Sequence, residues 1–173
     1  MWCSEAKRGR RLFVAGLSVA LAGLTQGCFR PMLAEGTASG SLIGRIEYPN
    51  FNDRFGYYLN ESLRERLGKT EVADYRLEFR TDIRREDLAI TQDNAITRIR
   101  LIAVATWELY RAGGTKPILR DEVVSQSGYN STASLFATRQ AKLDIERRLA
   151  RDLGERIARR VLAQAEQISK ATS

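Results

Sequence analysis

The chain has 173 residues, with 28 Lys and Arg against 21 Asp and Glu, two cysteines and no histidine. The missing histidine excludes Ser-His-Asp and Cys-His catalysis and His-based zinc sites. The formal charge of +7 invites a nucleic-acid role, but Lys7, Arg8, Arg10 and Arg11 supply much of it, within a segment of a different kind.

Those four basic residues precede Leu12–Leu24, thirteen residues without a charge, and then Thr25-Gln26-Gly27-Cys28. A basic head, a short apolar run and a small residue before the cut form a secretory signal peptide. Thirteen residues rise about 20 Å as a helix, too little for a hydrocarbon core of about 30 Å. Gly27-Cys28 resembles a bacterial lipobox, in which the cysteine thiol receives diacylglycerol and becomes the first mature residue. The alternative is an ordinary cleaved leader that happens to end beside a cysteine. Acylation with two or more chains makes membrane attachment stable. Loss of residues 1–27 leaves 146 residues, enough for one domain with a core, and lowers the net charge to +4. Cys3 leaves with the leader and Cys28 is the lipid site, so no disulfide is expected within the mature chain.

Residues 28–41 contain Pro31, Gly36 and Gly40 and form a lipidated tether. Ser41–Tyr48 is a short strand closed by Pro49. Asn52 or Asp53 caps a helix whose apolar stripe is Phe55, Tyr58, Leu59, Leu63 and Leu67, with Gly68 just past its end. Tyr75–Ile83 alternates, with Tyr75, Leu77, Phe79, Thr81 and Ile83 on one face and Arg76, Glu78, Arg80, Asp82 and Arg84 on the other. After a turn at Thr91–Asn94, Asn94–Tyr110 alternates again, with Ile99, Leu101, Ala103, Ala105, Trp107 and Leu109 inward. A turn at Ala112–Thr115 leads to a strand over Ile118–Ser127, and Gly128-Tyr129-Asn130 breaks the pattern. Ser131, Thr132 or Ser134 then caps one long amphipathic helix, which carries Ala141, Ile145, Leu149, Leu153, Ile157, Val161, Ala165 and Ile168 at four-residue steps.

The expected fold is α+β: a two-layer sandwich with two helices on one face of a four-stranded, mostly antiparallel sheet, in the order β-α-β-β-β-α. The domain spans residues 42–168 and 169–173 is a frayed tail. Trp107 and Phe79 belong to the core; Tyr129, at the turn, serves capping or packing before any partner contact. The outer sheet face is charged, with Arg76, Arg80, Arg98, Arg100 and Arg120 among Glu78, Asp82 and Glu108. Carboxylate chemistry stays open, with candidates such as Glu78 and Asp82, and a solvated face explains them better. Gly113-Gly114 lies between strands, not before a helix, and is a poor phosphate cradle.

The layout of leader, Cys28, strand, helix, three-strand meander and long C-terminal helix resembles the LPS-assembly lipoprotein family, LptE. Cys28-Phe29-Arg30-Pro31, Tyr129-Asn130 between last strand and last helix, and the Ala- and Arg-rich helix add local likeness. The resemblance implies no catalysis and no cofactor. It implies an outer-membrane lipoprotein on the periplasmic side that plugs a β-barrel partner, LptD, helps it assemble, and binds lipopolysaccharide for insertion into the outer leaflet. Arginine pairs with phosphate in a two-pronged, charge-assisted way. The candidate lipopolysaccharide contacts are therefore Arg84, Arg85, Arg98 and Arg100 on the strands, then Arg139 and Lys142 at the start of the long helix. The alternative for each is a solvated residue neutralised by neighbouring carboxylates. The alternative function is an envelope lipoprotein that serves as a protein-interaction module. No metal and no nucleic-acid partner is expected.

Overall fold

The computed structural model describes residues 37–51, 53–90 and 96–172. Leader, Cys28, most of the tether and the Thr91–Asn94 turn lie outside the described residues. The elements are a 3-10 turn at Gly40–Leu42, β1 (Ile46–Glu47), α1 (Arg54–Leu67), β2 (Tyr75–Ile90), β3 (Ile96–Arg111), β4 (Pro117–Asn130), α2 (Leu135–Ala163) and α3 (Ala165–Thr172). The sheet runs β1-β2-β3-β4. β1 is parallel to β2, whereas β2–β3 and β3–β4 are antiparallel. This is the expected α+β order.

Local chemistry accounts for the element ends. The Asp53 carboxylate accepts from the Gly56 N–H at 3.1 Å and caps α1. Gly68 follows Leu67 with φ 80, a region that side chains rarely adopt, and turns the chain back towards β2. The Ser134 hydroxyl accepts from the Ala137 N–H and caps α2.

One face of the sheet meets the helices. Leu77, Trp107, Leu109, Leu59, Leu63, Leu149, Leu153 and Ile157 are fully buried together. Ser39 is buried as well, its hydroxyl donating to the Leu162 carbonyl at 3.1 Å, so the chain enters the domain at the C-terminal end of α2.

Four details depart from the sequence reading. The first strand is only Ile46–Glu47, because the preceding residues close a 3-10 turn. The second is longer than expected, and Thr81 and Ile83, on the inward face opposite Ala105 and Ala103, are exposed. The fourteen residues of α1 rise about 20 Å, whereas the sixteen of β2 run about 50 Å, so α1 cannot cover the strand's second half. Gly128-Tyr129-Asn130 does not break β4: Gly128 pairs with Arg100, and Tyr129 is the last inward residue, buried opposite Ile99. Finally, the long helix is not continuous. It ends at Gln164, with φ −104 and ψ 15, and α3 restarts at Ala165 without a proline or glycine to announce the break.

Candidate functional site

The outer sheet face holds two groups of charges, one towards each end. Near the chain entry, Glu78 and Glu108 are cross-strand partners, and like charges so placed repel. Each is neutralised. Arg76 reaches Glu78 at 3.3 Å, while Arg120 and the Tyr110 hydroxyl both contact Glu108. The Tyr110 hydrogen bond, with Arg120 behind it, holds the Glu108 carboxyl below its ordinary range, and the same bond raises the Tyr110 hydroxyl. The Arg76 guanidinium also lies 5.0 Å from the Tyr110 ring centre.

Glu78, Glu108, Tyr110 and Arg120 line a shallow pocket of about 620 Å³, walled on one side by Phe51 stacked on Phe79 at 4.5 Å. The pocket needs Phe51, Glu78, Glu108 and Arg120 from four chain segments, and no spacing in the sequence announces that meeting. Glu78 and Asp82 do not form a catalytic pair: Glu78 bonds Arg76 and Asp82 bonds Arg84.

At the other end lie the basic residues singled out in the sequence. Arg84 and Arg85 are consecutive in β2 and point to opposite faces of the sheet. Arg84 bonds Asp82 at 2.8 Å, and Arg85 bonds Asp87 at 2.9 Å. Arg100 sits across from Glu86 and reaches it at 3.5 Å. Arg98 pairs in register with Asn130 and makes no ion pair among the described residues. The four-residue link from Asn130 to Leu135 sets the first turns of α2 at this same end. There Arg139 is exposed and Lys142 lies 3.6 Å from Glu146.

Two neighbours were not anticipated. Leu135 and Phe136 are 86% and 73% exposed, the most exposed large apolar side chains described. Their signal in the sequence is that they fall off the four-residue stripe that begins at Ala141. On β3 and β4 the middle of the outer face is also less polar than the sequence reading allowed, because Ile102, Val104 and Val124 lie there, with Asp82 and Arg84 beside them on β2. Among the described residues, no group of three metal-ligating side chains converges.

These features define a small two-layer α+β domain, charged on its bare sheet face and basic at one end. Solved structures share its fold. One, presented as a lipoprotein of Caulobacter crescentus CB15, matches with a TM-score of 0.61 at 19% identity, over 74% of this chain and 96% of that one. Another, a minor lipoprotein from Acinetobacter baumannii, matches with a TM-score of 0.55 at 19% identity, over 71% and 94%. No curated protein sequence matches the chain. The family model for LptE, lipopolysaccharide-assembly, matches residues 43–161, and the chain belongs to that family. It is a lipopolysaccharide-assembly component and not an enzyme.

Proposed function

We propose that the chain is an outer-membrane lipoprotein, acylated at Cys28, that plugs and helps assemble an LptD-like β-barrel and binds lipopolysaccharide for delivery to the outer leaflet. The observation that carries the binding half is the concentration of Arg84, Arg85, Arg98, Arg100, Arg139 and Lys142 at one end of the domain. Lipopolysaccharide offers phosphates to such arginines and acyl chains to Leu135 and Phe136. The plugging half is supported by the outer sheet face, where both signs of charge suit a polar barrel lumen.

The chain enters at the Leu162 end, opposite the basic one. α2 spans about 43 Å between them. A tether from Cys28 at the entry thus leaves the basic end free to reach ligand.

The test reverses two charges. Arg98→Glu with Arg100→Glu should weaken lipopolysaccharide capture by the purified protein several-fold. Thermal stability should hardly change, since the exposed Arg100–Glu86 pair contributes at most about 1 kcal/mol. Unaltered capture removes both residues from the site.

A further inference from the structure

β4 is a fourteen-residue strand at the margin of the sheet, and among the described residues nothing pairs with its outer edge. A long free edge offers a row of unpaired N–H and C=O groups to any other strand, and proteins usually blunt it with charge, proline or a bulge. β2 shows that device. Its exposed second half carries Asp82, Arg84, Arg85, Glu86 and Asp87 in six residues. β4 does not. Its one proline, Pro117, stands at the first position, where it does no harm, and Val123–Asn130 contains neither a charge nor a proline. On the outer face Val124 is 45% exposed beside Val104, an apolar side chain left at the margin with cover on one side only.

The strand is complementary to itself. An antiparallel pairing about a twofold axis at Val124 sets Arg120, Asp121 and Glu122 opposite Gly128, Ser127 and Gln126 of the second copy. Val124 then faces Val124, and Leu119 faces Tyr129. No like charges meet directly, and the row Val104-Val124 continues into the same row of its mate. Neighbouring registers do worse: an axis at Glu122 brings two carboxylates face to face, an axis at Val123 sets Glu122 against the exposed valine, and an axis at Ser125 sets that valine against Gln126 and loses the valine pair.

We propose that β4 pairs with β4 of a second copy about an axis at Val124, joining two four-stranded sheets into one of eight strands. Opposed residues share a face, so both α2 helices lie on the same side of the joined sheet. Such an edge-only contact belongs to the small, exchanging class of interface, below about 1,200 Å². The dimer is therefore reversible and is read by trapping. The inference is independent of lipopolysaccharide binding.

The experiment uses the full chain, produced without its barrel, purified in mild detergent and oxidised under identical conditions, with the unsubstituted chain giving the background. Val124→Cys should form covalent dimer several-fold above Glu122→Cys or Gln126→Cys. Two copies of residue 122 would stand about 13 Å apart along the strand, beyond disulfide reach. Mixing Glu122→Cys with Gln126→Cys should restore the cross-link. Val124→Asp, on the outer face away from the core, should abolish reversible dimer in sedimentation while leaving the melting temperature within a few degrees. Equal cross-linking at 122, 124 and 126, or none above background, overturns the proposal.

Discussion

Tyr48 shows how a single side chain ties the sheet edge to the end of α1. Its hydroxyl donates to the Gly68 carbonyl at 2.9 Å, and the Arg64 guanidinium lies 5.8 Å from its ring centre. Burial pushes the phenol up to about 12, with Arg64 pulling the other way. A group whose folded pKa is raised contributes stability that is complete below its unfolded value, about 10, and is lost as pH climbs towards 12. Alkaline unfolding should therefore carry a Tyr48 component. Tyr48→Phe should cost about 1 kcal/mol at neutral pH, from the lost hydrogen bond. It should also flatten the fall in denaturant midpoint between pH 8 and pH 11 relative to the parent protein. Tyr110 titrates in both proteins and cancels in that comparison. An equal fall in both proteins would remove Tyr48 from the account.

At the scale of elements, α1 and α2 approach closely at a glycine. Gly154 faces α1, and a methyl group built on it would stand 2.7 Å from the Leu59 carbonyl oxygen and 2.8 Å from the Ser62 β-carbon. Ser62 donates to the Arg151 carbonyl at 2.9 Å across the same contact, and the Arg147 guanidinium sits 5.0 Å from the Tyr58 ring centre. Gly154→Ala gains about 1 kcal/mol of helix propensity. The clash is with backbone, which cannot rotate aside, and overpacking of this kind costs about 1–3 kcal/mol. The net should be a loss of up to about 2 kcal/mol, read as a lower denaturant midpoint. A gain would mean that the helices part without strain.

The same elements show what the sequence made legible. Period-two alternation marked β2 and β3, and three- and four-residue spacing marked both main helices, because burial on one face is written directly into hydrophobic order. Gly154 is the lone glycine of α2, but its reason, contact with Leu59 and Ser62 of another helix, is tertiary. The exposed half of β2 was unreadable for a similar cause: Thr81 and Ile83 continue the inward alternation, and only the length of α1 decides that nothing covers them. Tyr129 beside Gly128 looked like a turn, yet ladder pairing to Ile99 and Arg100 overrides local propensity. Of the candidate site, the basic residues were legible as residue types. Their gathering at one end was not, because it depends on where α2 starts relative to the β2–β3 hairpin.

For the whole molecule, the layout separates two tasks. The chain enters beside Leu162 and the C-terminal end of α2, while the arginines, Leu135 and Phe136 gather at the opposite end. Under the proposed function, attachment and ligand contact are thus divided between the ends of one rigid helix, and the two-signed sheet face between them is left for the barrel. The free β4 edge gives the unassembled protein a way to cover itself. The central claim is the standing association with a large outer-membrane barrel. Extraction of the acylated protein from native membranes in mild detergent, followed by size fractionation, measures it most directly. The account predicts co-elution with a β-barrel several times its mass; elution of the protein without any barrel, at the mass of one or two copies, would contradict it.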